Sequence, residues 1–215
     1  MKKVAVILSG CGVYDGAEIH EAVLCLLHLD RHGARYQCFA PDQPQHHVID
    51  HRTGQESDEQ RNMLTEAARI ARGDIQPLSA LNASDFDALL LPGGFGVAKN
   101  LCNFAFEGAE CEVDNEVLAA CHAFAQARKP AGYCCIAPVL IPRIYPAGVK
   151  GTIGTDAATA EAFTAMGGEH IGCAVTDVVE DAHYKVISTP AYMLAQRITE
   201  ADTGIGKLVK RLLEM

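Results

Sequence analysis

The sequence predicts an α/β domain built on a largely parallel sheet. Three stretches carry that expectation. Residues 4–40 read as strand, helix, strand: Val4 to Leu8 is a continuous apolar run, Ile19, Ala22, Val23, Leu26 and Leu27 recur at three and four, and Arg35 to Ala40 is a second strand. Such a βαβ unit joins parallel strands. Phe86 to Leu91 is apolar and closes at Pro92-Gly93-Gly94. Glycines there let the backbone approach a ligand, at the strand ends where α/β sheets bind. Lys129 to Ile141 reads as a short buried strand that breaks at Cys135 and turns at once into a helix.

The elements follow in order. Asp15 is expected to cap the first helix and Gly33 to stop it. The polar stretch 42–77 reads as an insertion, with a hairpin around Thr53-Gly54. Ser57 with Gln60 forms a capping box before Met63, Leu64, Ala67 and Ala71, and Gly73 ends that helix. Phe95 to Phe104 suits a short helix. Val113, Val117, Leu118, Cys121, Phe124 and Ala125 mark a longer one, ended by Lys129-Pro130 because proline blocks the helical conformation of its predecessor. Val149 to Ile153 is a strand, and Thr155 or Asp156 caps a helix that Gly167-Gly168 ends. Ala174 to Val179 and Tyr184 to Thr189 form a hairpin turning at Glu180 to His183. Leu208, Val209, Leu212 and Leu213 lie on the last helix.

The chain of 215 residues, 49% hydrophobic and 21% charged, suits one domain over 1–215 with a substantial core. A net charge of −9 argues against nucleic acid and anionic membranes as partners. Val4 to Leu8 is too short for a signal-peptide core or a membrane span. The nine cysteines are scattered without paired C-x-x-C spacing, so a disulfide framework and a zinc site are both disfavoured and a reducing cytoplasmic location is expected. His46, His47 and His51 lack a matching Cys or carboxylate and read as surface residues rather than a metal cluster.

Chemistry concentrates at the third stretch. A cysteine between a strand and a helix points its sulfur into a crevice near free N–H groups, which favours thiolate. This is the nucleophile-elbow arrangement with sulfur in place of oxygen. Cys134 should alternate to the opposite face as a small hydrophobe. Gly10-x-Gly12-x-x-x-Gly16 resembles a dinucleotide fingerprint, with Asp42 near the end of the second strand. Its third glycine is displaced, and Glu18 and Glu21 would oppose a pyrophosphate at the helix start. Gly204-x-Gly206-Lys207 is followed by Leu208, not Ser or Thr, so it is not a phosphate loop.

Leu8-Ser9-Gly10-Cys11-Gly12-Val13-Tyr14-Asp15-Gly16-Ala17-Glu18-Ile19-His20-Glu21 resembles the opening of ElbB-type proteins, the ES1 family of the PfpI-type, class I glutamine-amidotransferase-like superfamily. Leu91 to Leu101, Cys135-Ile136-Ala137-Pro138, Thr152 to Asp156 and Thr189 to Gln196 are similar to the same family, so the resemblance spans essentially the whole chain. It implies a three-layer α/β/α sandwich with a flavodoxin-like sheet, a homodimer, Cys135 as elbow cysteine and Glu21 as its acidic partner. It also implies a glyoxalase-like activity, converting glyoxal to glycolate without glutathione, metal or cofactor. Gly93, Gly94 and Ile136 are then candidates for holding an oxyanion. Asn100, Asn103, Thr189 and Tyr192 are candidates for lining the pocket. Superfamily members often carry His after the cysteine; here Ile136 stands there, and His183 is followed by Tyr184 and Lys185. The amidotransferase and protease mechanisms therefore lack their imidazole. A carboxyl at Glu21, buried beside a thiolate, should have a raised pKa and do the proton transfer instead. The alternative function is a redox sensor that uses the same cysteine without turnover.

Overall fold

The computed structural model describes residues 1–215. In chain order the elements are β1 (Lys3–Ile7), α1 (Ile19–Arg31), β2 (Arg35–Ala40), β3 (Ile49–Asp50), β4 (Gln55–Glu56), α2 (Met63–Ile70), β5 (Ile75–Pro77) and β6 (Ala88–Leu91). They continue with α3 (Phe104–Glu107), α4 (Asn115–Gln126), β7 (Ala131–Cys134), α5 (Ile141–Ile144), β8 (Lys150–Gly151), α6 (Ala157–Ala165), β9 (Glu169–His170), β10 (Val179–Asp181), β11 (Val186–Thr189) and α7 (Ile198–Glu214). Seven strands form one sheet in the order β10-β11-β7-β6-β1-β2-β5. Every pairing in it is parallel except β10 with β11.

Alternation along the central strands splits the core in two. Ala5, Ile7, Leu89, Leu91 and Tyr133 face one side with Val117, Cys121 and Phe124 of α4. Val4, Val6, Leu8, Leu90 and Cys134 face the other with α1 and the Leu208, Val209 and Leu212 stripe of α7. The result is the expected three-layer, flavodoxin-like fold. A Cβ on Gly132 would stand 2.9 Å from Leu208 Cδ2, so this glycine lets α7 lie close on β7. Residues 42–77 supply the β3–β4 hairpin, α2 and the edge strand β5, which pairs with β2.

Several local expectations change. The cap of α1 is Glu18, whose carboxylate accepts the Glu21 N–H at 2.7 Å. Asp15 is used elsewhere: buried, it accepts the Ile49 N–H at 2.7 Å. α1 is also rotated from the expected stripe. Ile19, Val23 and Leu27 are exposed, while Glu21, Leu24, Cys25 and Leu29 are buried. Apolar residues surround most of that helix, so spacing alone did not select the inward face. Asn62 caps α2 by accepting the Thr65 N–H, whereas Ser57 closes a local turn on Glu59. Residues 97–101 form a wide turn closed by Cys102 N–H on Val97 O. After Cys135 the chain makes a tight turn over 137–140 before the short α5, because Pro138 and Pro142 each remove a helical donor. Lys150–Gly151 pairs only with β9, outside the seven-stranded ladder, and is tied to β10 by the Lys150 N–H, which donates to the Asp181 carboxylate at 2.9 Å. The late hairpin uses Val179–Asp181, not Ala174 to Val179.

Candidate functional site

β7 ends at Cys134, and Cys135 takes a left-handed φ of +59°. That conformation costs a non-glycine residue about 1–2 kcal/mol. It is held by the Cys135 N–H, which donates to Thr189 O at 3.0 Å. The sharp reversal separates the two sulfurs. Cys134 turns into the core with its Sγ 3.8 Å from that of Cys25. Cys135, 8% exposed, borders a cavity of about 510 Å³.

Glu21 reaches the same point from α1 and is fully buried. Its Oε2 accepts the Gly93 N–H and its Oε1 the Tyr192 N–H, both at 3.0 Å. Gly93 O in turn accepts the Glu18 N–H at 2.9 Å. Gly93 fills the gap between the pair: a Cβ there would stand 2.4 Å from Cys135 Cβ and 2.6 Å from Glu21 Oε2. Gly94, at φ +101°, lies where a Cβ would meet Glu18 N at 2.3 Å.

Burial pushes the Glu21 carboxyl up to about 8, and Glu18 adds to the effect. Hydrogen bonds from Tyr192, Cys135 and Gly93 pull the other way. Burial also raises the Cys135 thiol well above its ordinary value, with Glu21 adding to it, while the Gly94 and Ile136 N–H groups favour the anion. The thiolate expected from the elbow geometry is therefore not the resting form: desolvation outweighs the two amides. Burial thus favours the protonated form of both the thiol and the carboxyl. Losing one proton leaves an anion that the two groups share.

The cavity wall is mainly apolar, with Phe95, Phe104, Ile136 and Met193 among its residues. Glu18, Asp156, Thr159 and Tyr192 supply polar groups. Nothing in the sequence marks Glu18, Phe104, Asp156 or Thr159 as neighbours, since they come from three separate segments: the start of α1, α3 and the start of α6. Asn100 and Asn103 are not in this lining. The Asn100 amide donates to Ser9 O and Asp15 O and its Oδ1 accepts from His46, so it ties loops together. Asn103 accepts the Glu112 N–H. Thr189 acts through its carbonyl on Cys135, its hydroxyl being donated to Asp177 O. His20 pairs with the Tyr192 hydroxyl at 2.9 Å. The His46 ring packs on Phe106, His51 Nε2 accepts the Tyr14 N–H, and His183 is exposed. Glu18 caps α1 where a pyrophosphate would need to sit.

The parallel sheet and the cysteine elbow together define an α/β protein with the DJ-1/PfpI fold. No family model matches the chain. It is 49% identical over 223 residues to "Glutamine amidotransferase-like class 1 domain-containing protein 3, mitochondrial" of Homo sapiens, covering 99% of this chain and 83% of that protein. It is 37% identical over 236 residues to "ES1 protein, mitochondrial" of Danio rerio, covering 99% and 85%. The crystal structure of an isoprenoid biosynthesis protein with amidotransferase-like domain from Ehrlichia chaffeensis matches with a TM-score of 0.93 at 38% identity, covering 100% of this chain and 99% of that one. A DJ-1 superfamily protein from Agrobacterium tumefaciens, at TM-score 0.56 and 16% identity over 100% of this chain and 89% of that one, shares the fold. The chain belongs to the ES1 (ElbB-type) family.

The cytoplasmic expectation does not stand, because the human, rat and zebrafish relatives are mitochondrial proteins by name. Its basis was nine reduced thiols, and these suit any reducing compartment equally. No helix is long and apolar enough to cross a membrane.

Proposed function

We propose that the protein is a glutathione-independent, glyoxalase-like cysteine enzyme that converts glyoxal to glycolate. The observation that supports this most is the meeting of Cys135 and Glu21 across Gly93, at the edge of a cavity and beside two free N–H groups. The Cys135 sulfur adds to one carbonyl carbon, and the carbonyl oxygen gains a proton to give a hemithioacetal. The Gly94 and Ile136 N–H groups hold the oxyanion as it forms; one such donor is worth about 3 kcal/mol of barrier. Glu21, ionised, takes the C–H proton and returns it to the second carbon through an enediol. That leaves a thioester of glycolate, which water cleaves to glycolate and free thiol. The sum is glyoxal plus water to glycolate, with no net oxidant or reductant.

The working unit in this proposal is a homodimer. The exposed row of Ile19, Val23 and Leu27 on α1 gives an apolar face for it, which sedimentation of the wild-type chain against Val23→Glu would check. The catalytic test is glycolate formation from glyoxal by metal-free protein without added thiol. Many turnovers per chain are expected, falling at least about a thousandfold in Cys135→Ala. A single modification of Cys135 without product release would replace this function with the redox-sensor one.

A further inference from the structure

The cavity in front of Cys135 is larger than glyoxal needs. At about 510 Å³ it falls within the range of about 300–1,000 Å³ typical of sites for drug-sized ligands. Glyoxal, two linked aldehyde carbons without a side chain, leaves most of that space unfilled. The wall left uncovered is apolar, with Phe95, Phe104, Ala105, Ile136 and Met193 in the lining. Phe95 is 48% exposed, among the most exposed large apolar side chains of the protein. An apolar group laid against this ring removes from water a surface that the fold itself leaves open.

The charges in the lining have one sign. Glu18 and Asp156 are both there, and no lysine or arginine is. Glu18 Oε2 accepts the Glu21 N–H at 2.7 Å, and its Oε1 has no hydrogen-bond partner in the protein. Asp156 is exposed, and hydrogen bonds from Thr159 hold its carboxyl below the usual carboxylate range. Lys99 lies over the Phe95 ring, 5.4 Å from its centroid, but its ammonium donates to Tyr14 O at 2.9 Å, outside the lining. His20 is held by the Tyr192 hydroxyl. A ligand carboxylate or phosphate entering here meets two carboxylates and no counter-charge.

We propose that the preferred substrates are 2-oxoaldehydes that carry a bulky apolar substituent and no anionic group, with the aldehyde at Cys135 and the substituent against Phe95 and Phe104. This rests on the glyoxalase-like reading and names its substrate class. The Cys135 sulfur bonds to the aldehyde carbon. That carbon's hydrogen moves as a proton to the neighbouring keto carbon through the enediol, and water cleaves the resulting thioester and restores the thiol. The aldehyde carbon is oxidised and the keto carbon reduced, so 2-oxoaldehyde plus water gives the 2-hydroxy acid without an outside oxidant or reductant. The product is a carboxylate, formed where Glu18 and Asp156 repel it. The charges that reject anionic substrates therefore also favour product release.

The test compares initial kcat/KM of the full-length, metal-free chain for glyoxal, phenylglyoxal and para-carboxyphenylglyoxal. Phenylglyoxal should exceed glyoxal by about tenfold or more, and the para-carboxy compound should fall below phenylglyoxal by about tenfold or more. Phe95→Ala should narrow the first ratio about fivefold, and Asp156→Asn, which keeps a helix-capping side chain, should narrow the second about threefold. Labelling of Cys135, read by peptide mass spectrometry, reports the charge preference without turnover. Relative to their rates with 2-mercaptoethanol, iodoacetate should be disfavoured against iodoacetamide by about fivefold or more. Glyoxal turned over as well as phenylglyoxal, the carboxylate accepted equally, ratios unmoved by both substitutions, or labelling without bias would each overturn this proposal and leave the glyoxalase-like reading standing. No turnover of any of the dicarbonyls by a chain whose Cys135 still alkylates would overturn that reading and this proposal with it.

Discussion

Gly93 is the residue whose replacement most directly separates the site from the fold around it. Any side chain there must displace both Cys135 and Glu21, so Gly93→Ala should abolish turnover and cost about 1–3 kcal/mol in denaturant unfolding. Glu21 carries a second prediction. Its carboxyl holds a proton up to about pH 8 in the fold but only to about 4.5 when unfolded. Between those values the unfolded chain binds fewer protons, so stability is highest at the acid end and falls as pH rises, by about 1.4 kcal/mol per unit. Urea unfolding across pH 5–8 should show this slope in the wild type and lose it in Glu21→Gln. Cys135 was legible from the small, apolar strand before it and the proline after it. Glu21 was not legible from spacing, because an acid in a first helical turn is ordinarily a solvated partner of the helix dipole. Only the family resemblance pointed to it, and the buried hydrogen bonds to Gly93 and Tyr192 explain why α1 turns it inward.

The central strands and the last helix were the most readable elements, because their continuous apolar runs and the narrow stripe of α7 leave one face to bury. β2 and the Leu208, Val209, Leu212 face of α7 are where the pattern placed them. Caps were less readable. Asp15 and Ser57 have the right chemistry, but tertiary hydrogen bonds claimed Asp15 and a local turn claimed Ser57, leaving Glu18 and Asn62 to cap. At this scale the contact between α7 and β7 can be tested. Gly132→Val places branched carbons where Leu208 and Leu90 already lie, at 2.9 and 3.0 Å from the first added carbon. It should lower the unfolding free energy by about 1–3 kcal/mol, read from the denaturant midpoint. The packing of β7 would shift with it, so glyoxal turnover should fall as well.

Across the whole molecule, the sheet order brings four distant pieces of sequence to one point. β7 supplies Cys135, the loop after β6 supplies Gly93 and Gly94, α1 supplies Glu21, and the turn after β11 supplies the Tyr192 amide. The cavity in front of them is assembled the same way, which is why the sequence marked the reactive sulfur but not the walls around it. In the proposed mechanism Cys135 and Glu21 share the one proton left after the first ionisation and act as a single reactive unit. The most direct measurement is the iodoacetamide alkylation rate of Cys135 from pH 6 to 10, in the wild type and in Glu21→Gln. The rate should climb with an apparent pKa near 8 in the wild type, as the first proton leaves the pair. In Glu21→Gln the climb should move to higher pH, because the thiol must then ionise alone in a buried site. Superimposable profiles in the two proteins would contradict it.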